Sequence, residues 1–289
     1  MLSTIENNIL RVRVKSTGAE LSSIQTVSNG REFMWEGNPD IWSGQSPLLF
    51  PIVGRLNGGL YRLCEKVYEM GKHGFARGSE FELIEKRADK LLYELTDSEE
   101  SRRFYPYKFV LRIIYTLDES KLKIGFEVEN LNGSQMFFSI GAHPAFACPV
   151  CGEVQLTDYY LEFEEKETAD RWYIEDGLVD RCDKKFLDYE DRIEITEGLF
   201  RDDALIFKGL MSETVCLKCL KDDREVRVDF GGFKYLGIWS KAGAPYVCIE
   251  PWFGLDDSKG FDGDFSEKEG IEKLEAGEIF DSEYTITCQ

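Results

Sequence analysis

The sequence predicts an all-β protein, a large antiparallel β-sandwich with few short helices. Three observations carry this. Apolar residues recur at every second position in many short segments. Turn-forming residues separate these segments at spacings of roughly 8–12 residues. No long stretch repeats its apolar residues with the helical period. The 289 residues are 43% hydrophobic and 13% aromatic, enough for one large core. All-β units of this size occur as single domains, so one domain over residues 1–289 is expected.

Residues 6–26 read as two strands broken at Thr17-Gly18, followed by a short helix near Trp42. Residues 81–95 read as two more strands, broken at Ala88-Asp89, with a short helix over 97–103. Residues 107–117 form the next strand, and Asp118-Glu119-Ser120 turns it into 121–129. There Leu122, Ile124, Phe126 and Val128 share one face and charged residues dominate the other, the mark of a half-buried antiparallel strand. Asn132-Gly133 is a tight-hairpin dipeptide, so three successive strands are expected to meander straight into FFSIGAHPAF, residues 137–146. Val226, Val228 and Phe230 alternate in 224–230, Gly231-Gly232 turns, and 235–239 follows. Residues 246–252 read as an apolar strand carrying one charge.

Charge narrows the function. Thirty-five basic against 54 acidic residues give a formal net charge of −19. That field repels polyanions, so nucleic acid is not an expected partner, whereas a neutral small molecule meets no such barrier. Acidic stretches such as 162–167 are expected to be solvated faces. The opening residues lack the apolar core of a secretory signal. No apolar run approaches the roughly 18 residues of a membrane span. The expectation is a cytoplasmic protein without a membrane partner. Of eight cysteines, Cys148/Cys151 and Cys216/Cys219 form CxxC pairs. The second pair lies in a strand-like stretch, where positions three apart face opposite sides and chelate poorly. Reduced structural thiols are expected for both.

The chain has two histidines. His143 ends an apolar strand-like run and precedes Pro144, which holds it in extended geometry. It reads either as a buried structural histidine or as an acid or base that titrates near neutral pH. His73, in GKHGFAR, is flanked by Gly71 and Gly74 and reads as a turn residue or a ligand contact. Glu250, in CIEPWFG, sits among Ile249, Pro251, Trp252 and Phe253. A carboxylate in such a strand has a raised pKa and is either paired or functional. Arg55, in PIVGRLNGG, reads as a salt-bridging residue or a forked donor to hydroxyls. Asp203, in RDDALIF, competes with Asp202, and Arg77 and Lys72 flank His73. A carboxylate base and an imidazole acid on opposite sides of a polar ligand move two protons in one event. That is the requirement for opening a cyclic hemiacetal.

Taken together, GKHGFAR, GAHPAF and CIEPWFG, with PIVGR upstream and DALIF between, resemble the aldose 1-epimerase (galactose mutarotase) family, and its LacX-like branch more closely. The resemblance runs from the Trp42 region to IEKLEAGE. It implies a galactose-mutarotase-like β-sandwich with no metal or organic cofactor, acting on a sugar. By motif, Glu250 matches the base that takes the C1 hydroxyl proton and His143 the acid for the ring oxygen. His73, Arg55 and Asp203 match substrate-binding positions, with Arg77 and Trp252 beside them. Gly141-Ala142-His143-Pro144 departs from the Asn-His-aromatic pattern of the galactose enzymes, so their galactose preference is not carried over; a free aldohexose is the first expected substrate, and a hexose 6-phosphate, met by Arg77 and Lys72 beside His73, is the alternative. A non-catalytic sugar-binding protein and a metal site on His73, His143 and Glu250 are the competing readings.

Overall fold

The two-residue alternation read from the sequence becomes antiparallel pairing in a computed structural model, which describes residues 1–150 and 152–289. Leu122, Ile124, Phe126 and Val128 are all buried on one face of Lys121–Asn130. Each such side chain stabilises the fold by about 1.5–3 kcal/mol on burial. This strand pairs with Phe109–Asp118 as expected. Its other neighbour is Ile279–Cys288, from the far end of the chain. The expected meander into residues 137–146 therefore does not form. Met136–Phe138 instead pairs with Glu272–Leu274, and Ile140–Ala142 pairs with Tyr246–Phe253. Asn132-Gly133 makes a turn, but Asn130 redirects the chain: its side-chain amide donates to the carbonyls of Ser134, Leu274 and Glu275.

The main sheet runs in the order Leu48–Leu49, Ile140–Ala142, Tyr246–Phe253, Tyr235–Trp239, Leu205–Lys208, Tyr159–Glu175, Thr214–Cys219, Glu225–Asp229, Ile279–Cys288, Lys121–Asn130, Phe109–Asp118, Lys90–Thr96 and Glu82–Lys86. Strands distant in that order share one apolar cluster. Phe126, Val228 and Ile286 lie in it with Leu205, Ile238 and Ile249, so the sheet folds over itself as an antiparallel β-sandwich.

Several local expectations change. Residues 6–26 hold the two expected strands, Leu10–Lys15 and Leu21–Thr26, broken around Thr17-Gly18, and a further strand, Leu2–Glu6, precedes them across a turn in which Asn7 accepts the N–H groups of Ile9 and Leu10. Trp42 lies in a turn held by Asn38 rather than in a helix, while Ser101–Phe104 is a single helical turn. Tyr159–Glu175 and Leu178–Glu194 form a long hairpin that the sequence pattern did not reveal. Its acidic stretch is mostly solvated, with one exception. Glu167 is buried and accepts the N–H groups of Met211 and Ser212, which replaces its hydration. Cys216 and Cys219 are free, with Cys219 buried and Cys216 partly exposed. Cys148 is also free and buried, while Cys151 lies outside the described residues. Among the described residues, no helix is long and apolar enough to cross a membrane.

Candidate active site

Pairing register explains why Glu250 and His143 meet. Gly141 lies opposite Trp252 and Ala145 opposite Cys248, so the register carried across Pro144 sets His143 opposite Glu250. Pro144 has no N–H for the ladder, yet its carbonyl accepts the N–H of Ile249 at 3.2 Å, which keeps the strands together. Directly opposed residues of an antiparallel pair project on the same face. His143 Nε2 lies 3.2 Å from Glu250 Oε2. On the other side of Glu250, its register partner is Gly237. Positions 248, 250 and 252 share a face by strand periodicity. Glu250 thus stands between Cys248 and Trp252.

Trp252 can lie flat there because its neighbours have no side chains. A Cβ on Gly237 would fall 2.4 Å from the indole ring, and one on Gly141 would fall 2.6 Å from it. The indole forms part of a cleft of about 200 Å³ lined also by Trp42, Pro47, Lys72, His73, Arg77, His143, Ile174, Asp203, Ala204, Trp239, Glu250 and Asp256. Trp42 stacks on the His143 ring at 5.1 Å, and Trp239 meets that ring edge-on at 5.7 Å. A larger cavity, about 530 Å³, lies by Lys166 and Tyr189. It contains neither histidine, so chemistry rather than size identifies the site.

His73 reaches the cleft from a turn. Its backbone is left-handed, with φ of 65°. Its N–H donates to the Gly54 carbonyl at 2.8 Å, and the Gly54 N–H donates to its Nδ1 at 3.1 Å. An Nδ1 that accepts leaves the proton on Nε2, so His73 is a fixed donor. Asp203 is also left-handed, with φ of 65°, and its Oδ1 accepts the Ala204 N–H. Asp202 turns outward to Arg181 at 4.0 Å, so of these two neighbours it is Asp203 that lines the cleft. Arg77 donates to the Lys72 carbonyl, and both cations line the rim.

Of the residues singled out from sequence, the cleft gathers Glu250, His143, His73, Asp203, Arg77 and Trp252. Arg55 is not among its lining residues. Its side chain is exposed and borders a neighbouring cavity with Lys72, Asp176 and Gly177. Trp239, Ile174 and Asp256 were missed. Asp256 had a signal, since it follows Leu255 in the same apolar run as Glu250 and is 2% exposed.

Burial sets the protonation states. It pushes His143 down to about 3, with Lys72 adding to the effect. His73 is held well below the ordinary histidine value, again by burial first and by His143 and Lys72 second. Burial drives Glu250 well above the ordinary carboxylate value, Lys72 opposing and Asp203 and Asp256 reinforcing it. Burial thus favours the uncharged form of both partners. The 3.2 Å contact is not aligned as a hydrogen bond. Among the described residues, Glu250 Oε2, His143 Nδ1 and Trp252 Nε1 are buried without a hydrogen-bond partner. Such groups cost free energy unless a ligand or water satisfies them.

His143 and Glu250, the expected acid and base, stand side by side rather than on opposite sides of a ligand. A 3.2 Å separation leaves no room for a sugar ring between them. Adjacency suits a hemiacetal, because its hydroxyl oxygen and ring oxygen are bonded to the same carbon. The metal reading also changes: His143, Glu250 and Cys248, rather than His73, place ligand atoms within 4.8 Å of one another. Burial keeps the Cys248 thiol protonated, and a thiol must ionise to bind a metal.

Known proteins place this architecture. The chain is 36% identical over 268 residues to the plasmid-encoded protein LacX of Lactococcus lactis subsp. lactis, covering 89% of each. A galactose mutarotase related enzyme from Lactobacillus acidophilus superposes with a TM-score of 0.96 at 36% identity, over 100% of this chain and 97% of that one. A galactose mutarotase-like protein from Lactobacillus casei superposes with a TM-score of 0.93 at 26% identity, over the full length of both. The sequence profile of the aldose 1-epimerase family matches residues 1–260, and the chain belongs to that family.

Proposed function

We propose that the protein is an aldose 1-epimerase that interconverts the α and β anomers of an aldohexose by acid–base opening and reclosure of the ring. The observation that carries this is the buried His143–Glu250 pair, opposed in register within an aromatic-walled cleft. Glu250 takes the proton of the C1 hydroxyl while His143 gives one to the ring oxygen, and the C1–ring-oxygen bond breaks to leave an aldehyde. Rotation about C1–C2 presents the other carbonyl face. Reclosure returns both protons, so the pair ends as it began. Each acid–base contribution is worth about 10²–10⁴-fold in rate. His73, as a fixed donor, and Asp203, as an acceptor, bind ring hydroxyls. Trp42, Trp239 and Trp252 offer apolar faces for the carbon skeleton.

The neutral resting pair must separate charge to act. Moving the carboxyl proton to the imidazole creates the base and the acid together. Lys72 favours the ionised form of Glu250 but opposes the imidazolium of His143, so it acts on the two halves of this step in opposite directions.

Lys72 and Arg77 favour a second reading of the substrate, a 6-phosphorylated aldohexose whose phosphate is met by the rim cations against the overall negative field. Exchange spectroscopy of anomers with a panel of free and 6-phosphorylated aldohexoses tests both. Accelerated exchange of free hexoses supports the first reading, and acceleration confined to phosphorylated ones replaces it with the second. Sugar binding without acceleration leaves a non-catalytic binding protein. Activity lost on chelation, with metal detected by elemental analysis, points to the His143–Cys248–Glu250 site.

A further inference from the structure

We infer that Asp256 is a specificity-determining residue of the cleft, accepting a hydrogen bond from a sugar hydroxyl other than the one at C1 while fixing the turn that aims His73. The inference rests on the cleft being a sugar site. Asp256 follows the Tyr246–Phe253 strand and is 2% exposed, yet it lines the cleft. Its Oδ1 accepts the Arg55 N–H at 2.6 Å. Among the described residues no hydrogen bond reaches Oδ2, and Asp256 is one of the residues that line the cleft. A buried carboxylate with an unused oxygen against a polar cavity calls for a donor, and a sugar hydroxyl supplies one.

The same carboxyl is locked to the histidine turn. Gly54 lies between the two: a Cβ there would fall 2.2 Å from Asp256 Cγ, and Gly54 itself has φ of 74°. The Gly54 N–H fixes the His73 tautomer, and the Gly54 carbonyl accepts the His73 N–H. Asp256, the residue 54–55 backbone and His73 form one continuous connection. A sugar that satisfies Oδ2 therefore meets a His73 donor whose position Asp256 has set.

Asp256→Asn separates the two roles. The amide oxygen still accepts the Arg55 N–H, but an amide N–H₂ replaces the acceptor facing the sugar. Calorimetric binding of the parent aldohexose and its monodeoxy analogues is measured for the wild type and the variant. The variant is expected to bind the parent sugar about 10–100-fold more weakly, the effect of losing one charge-assisted hydrogen bond. One deoxy position should cost the wild type that same factor and cost the variant little, the signature of a direct pair in a double cycle. Equal penalties in the two proteins at every position overturn the inference, as does a variant that loses thermal stability but keeps its affinities.

If the variant does not fold, wild-type binding of monodeoxyfluoro sugars decides. Fluorine accepts but does not donate, so two positions besides C1 should be lost on fluorination, one for Asp203 and one for Asp256. One or none overturns the inference. Binding without anomer exchange removes the proposed catalysis and leaves the inference standing, while a wild type that binds no sugar removes both.

Discussion

Glu250 and His143 stand on paired strands, whereas Lys72, His73 and Arg77 stand on a turn, and the two halves of the cleft hold their side chains by different means. In the strand half, position follows from register. All eight residues of Tyr246–Phe253 are buried, and neighbouring ladders on both sides fix each Cβ. In the turn half, position follows from a left-handed His73 and a few hydrogen bonds to residue 54. Rigid sheet is suited to a pair whose separation decides proton transfer. A turn suits residues that discriminate among sugars, because its composition changes without disturbing a ladder. Under the proposed function, chemistry falls to the strands and selection to the turn.

The sharpest way to break that assignment is to remove the strand half's titratable groups. Glu250→Gln or His143→Gln is expected to lower the anomer-exchange rate by about 10²–10⁴-fold, with circular dichroism unchanged. The double variant should lose little more than either single one, since the two act as a unit. A Glu250→Gln protein exchanging anomers at the wild-type rate would remove Glu250 from the mechanism. A loss confined to KM would return the strand half to mere binding.

The next effect tests the strand scaffold. Gly237→Ala drives a methyl to within 2.4 Å of the Trp252 ring. Overpacking of this kind costs about 1–3 kcal/mol, read as a lower denaturant midpoint. The displaced indole should also raise KM, because Trp252 lines the cleft. An unchanged midpoint means that the strands give way more easily than the argument for a rigid half allows.

Stability against pH gives a smaller effect whose sign differs between the two partners. The folded His143 is pushed down to about 3 from an ordinary value of 6.5, so the unfolded chain binds the additional proton between those values. Wild-type stability is therefore lost as pH falls below 6.5, and His143→Gln should gain on the wild type in that direction. Glu250 is shifted upward, so its contribution is full below the ordinary carboxyl value of 4.5 and is lost as pH rises toward its folded value. Glu250→Gln should gain on the wild type as pH rises. Each slope is at most about 1.4 kcal/mol per pH unit for one proton. Denaturant midpoints of the three proteins between pH 4 and 8 check both signs. Parallel curves would mean that neither group is shifted.

Much of this was legible in the sequence, and the boundary follows from physics. Alternation at Leu122, Ile124, Phe126 and Val128 and the turn at Ala88-Asp89 are local signals, and they yielded strands within a residue or two. Which strand pairs with which is not local. The partnership of Lys121–Asn130 with Ile279–Cys288 spans most of the chain, and nothing in either segment names the other. The site divided in the same way. Glu250 and His143 announced themselves as polar residues in apolar strands, and motif order supported them. Their side-by-side placement required the register across Pro144. Asp256 stood out only by its place after Leu255 in the apolar run of Glu250, and among 54 acidic residues that signal was easily passed over until burial singled it out.

The smallest expected effect falls on Arg55, where motif and structure differ. The motif makes it a hydroxyl-binding arginine, but its exposed guanidinium borders the neighbouring cavity and its backbone N–H is what Asp256 uses. Arg55→Ala keeps that N–H. An exposed charge at the edge of a site contributes under about 1 kcal/mol, so KM for a free aldohexose should change by less than about fivefold. A phosphorylated substrate reaching past Lys72 would feel the loss of Arg55 more, since Lys72 lines both cavities. Steady-state exchange kinetics with the two substrate classes separate these cases. A free-sugar KM raised well beyond fivefold would place the guanidinium on the ligand and extend the selecting half of the cleft to the residue 54–57 loop.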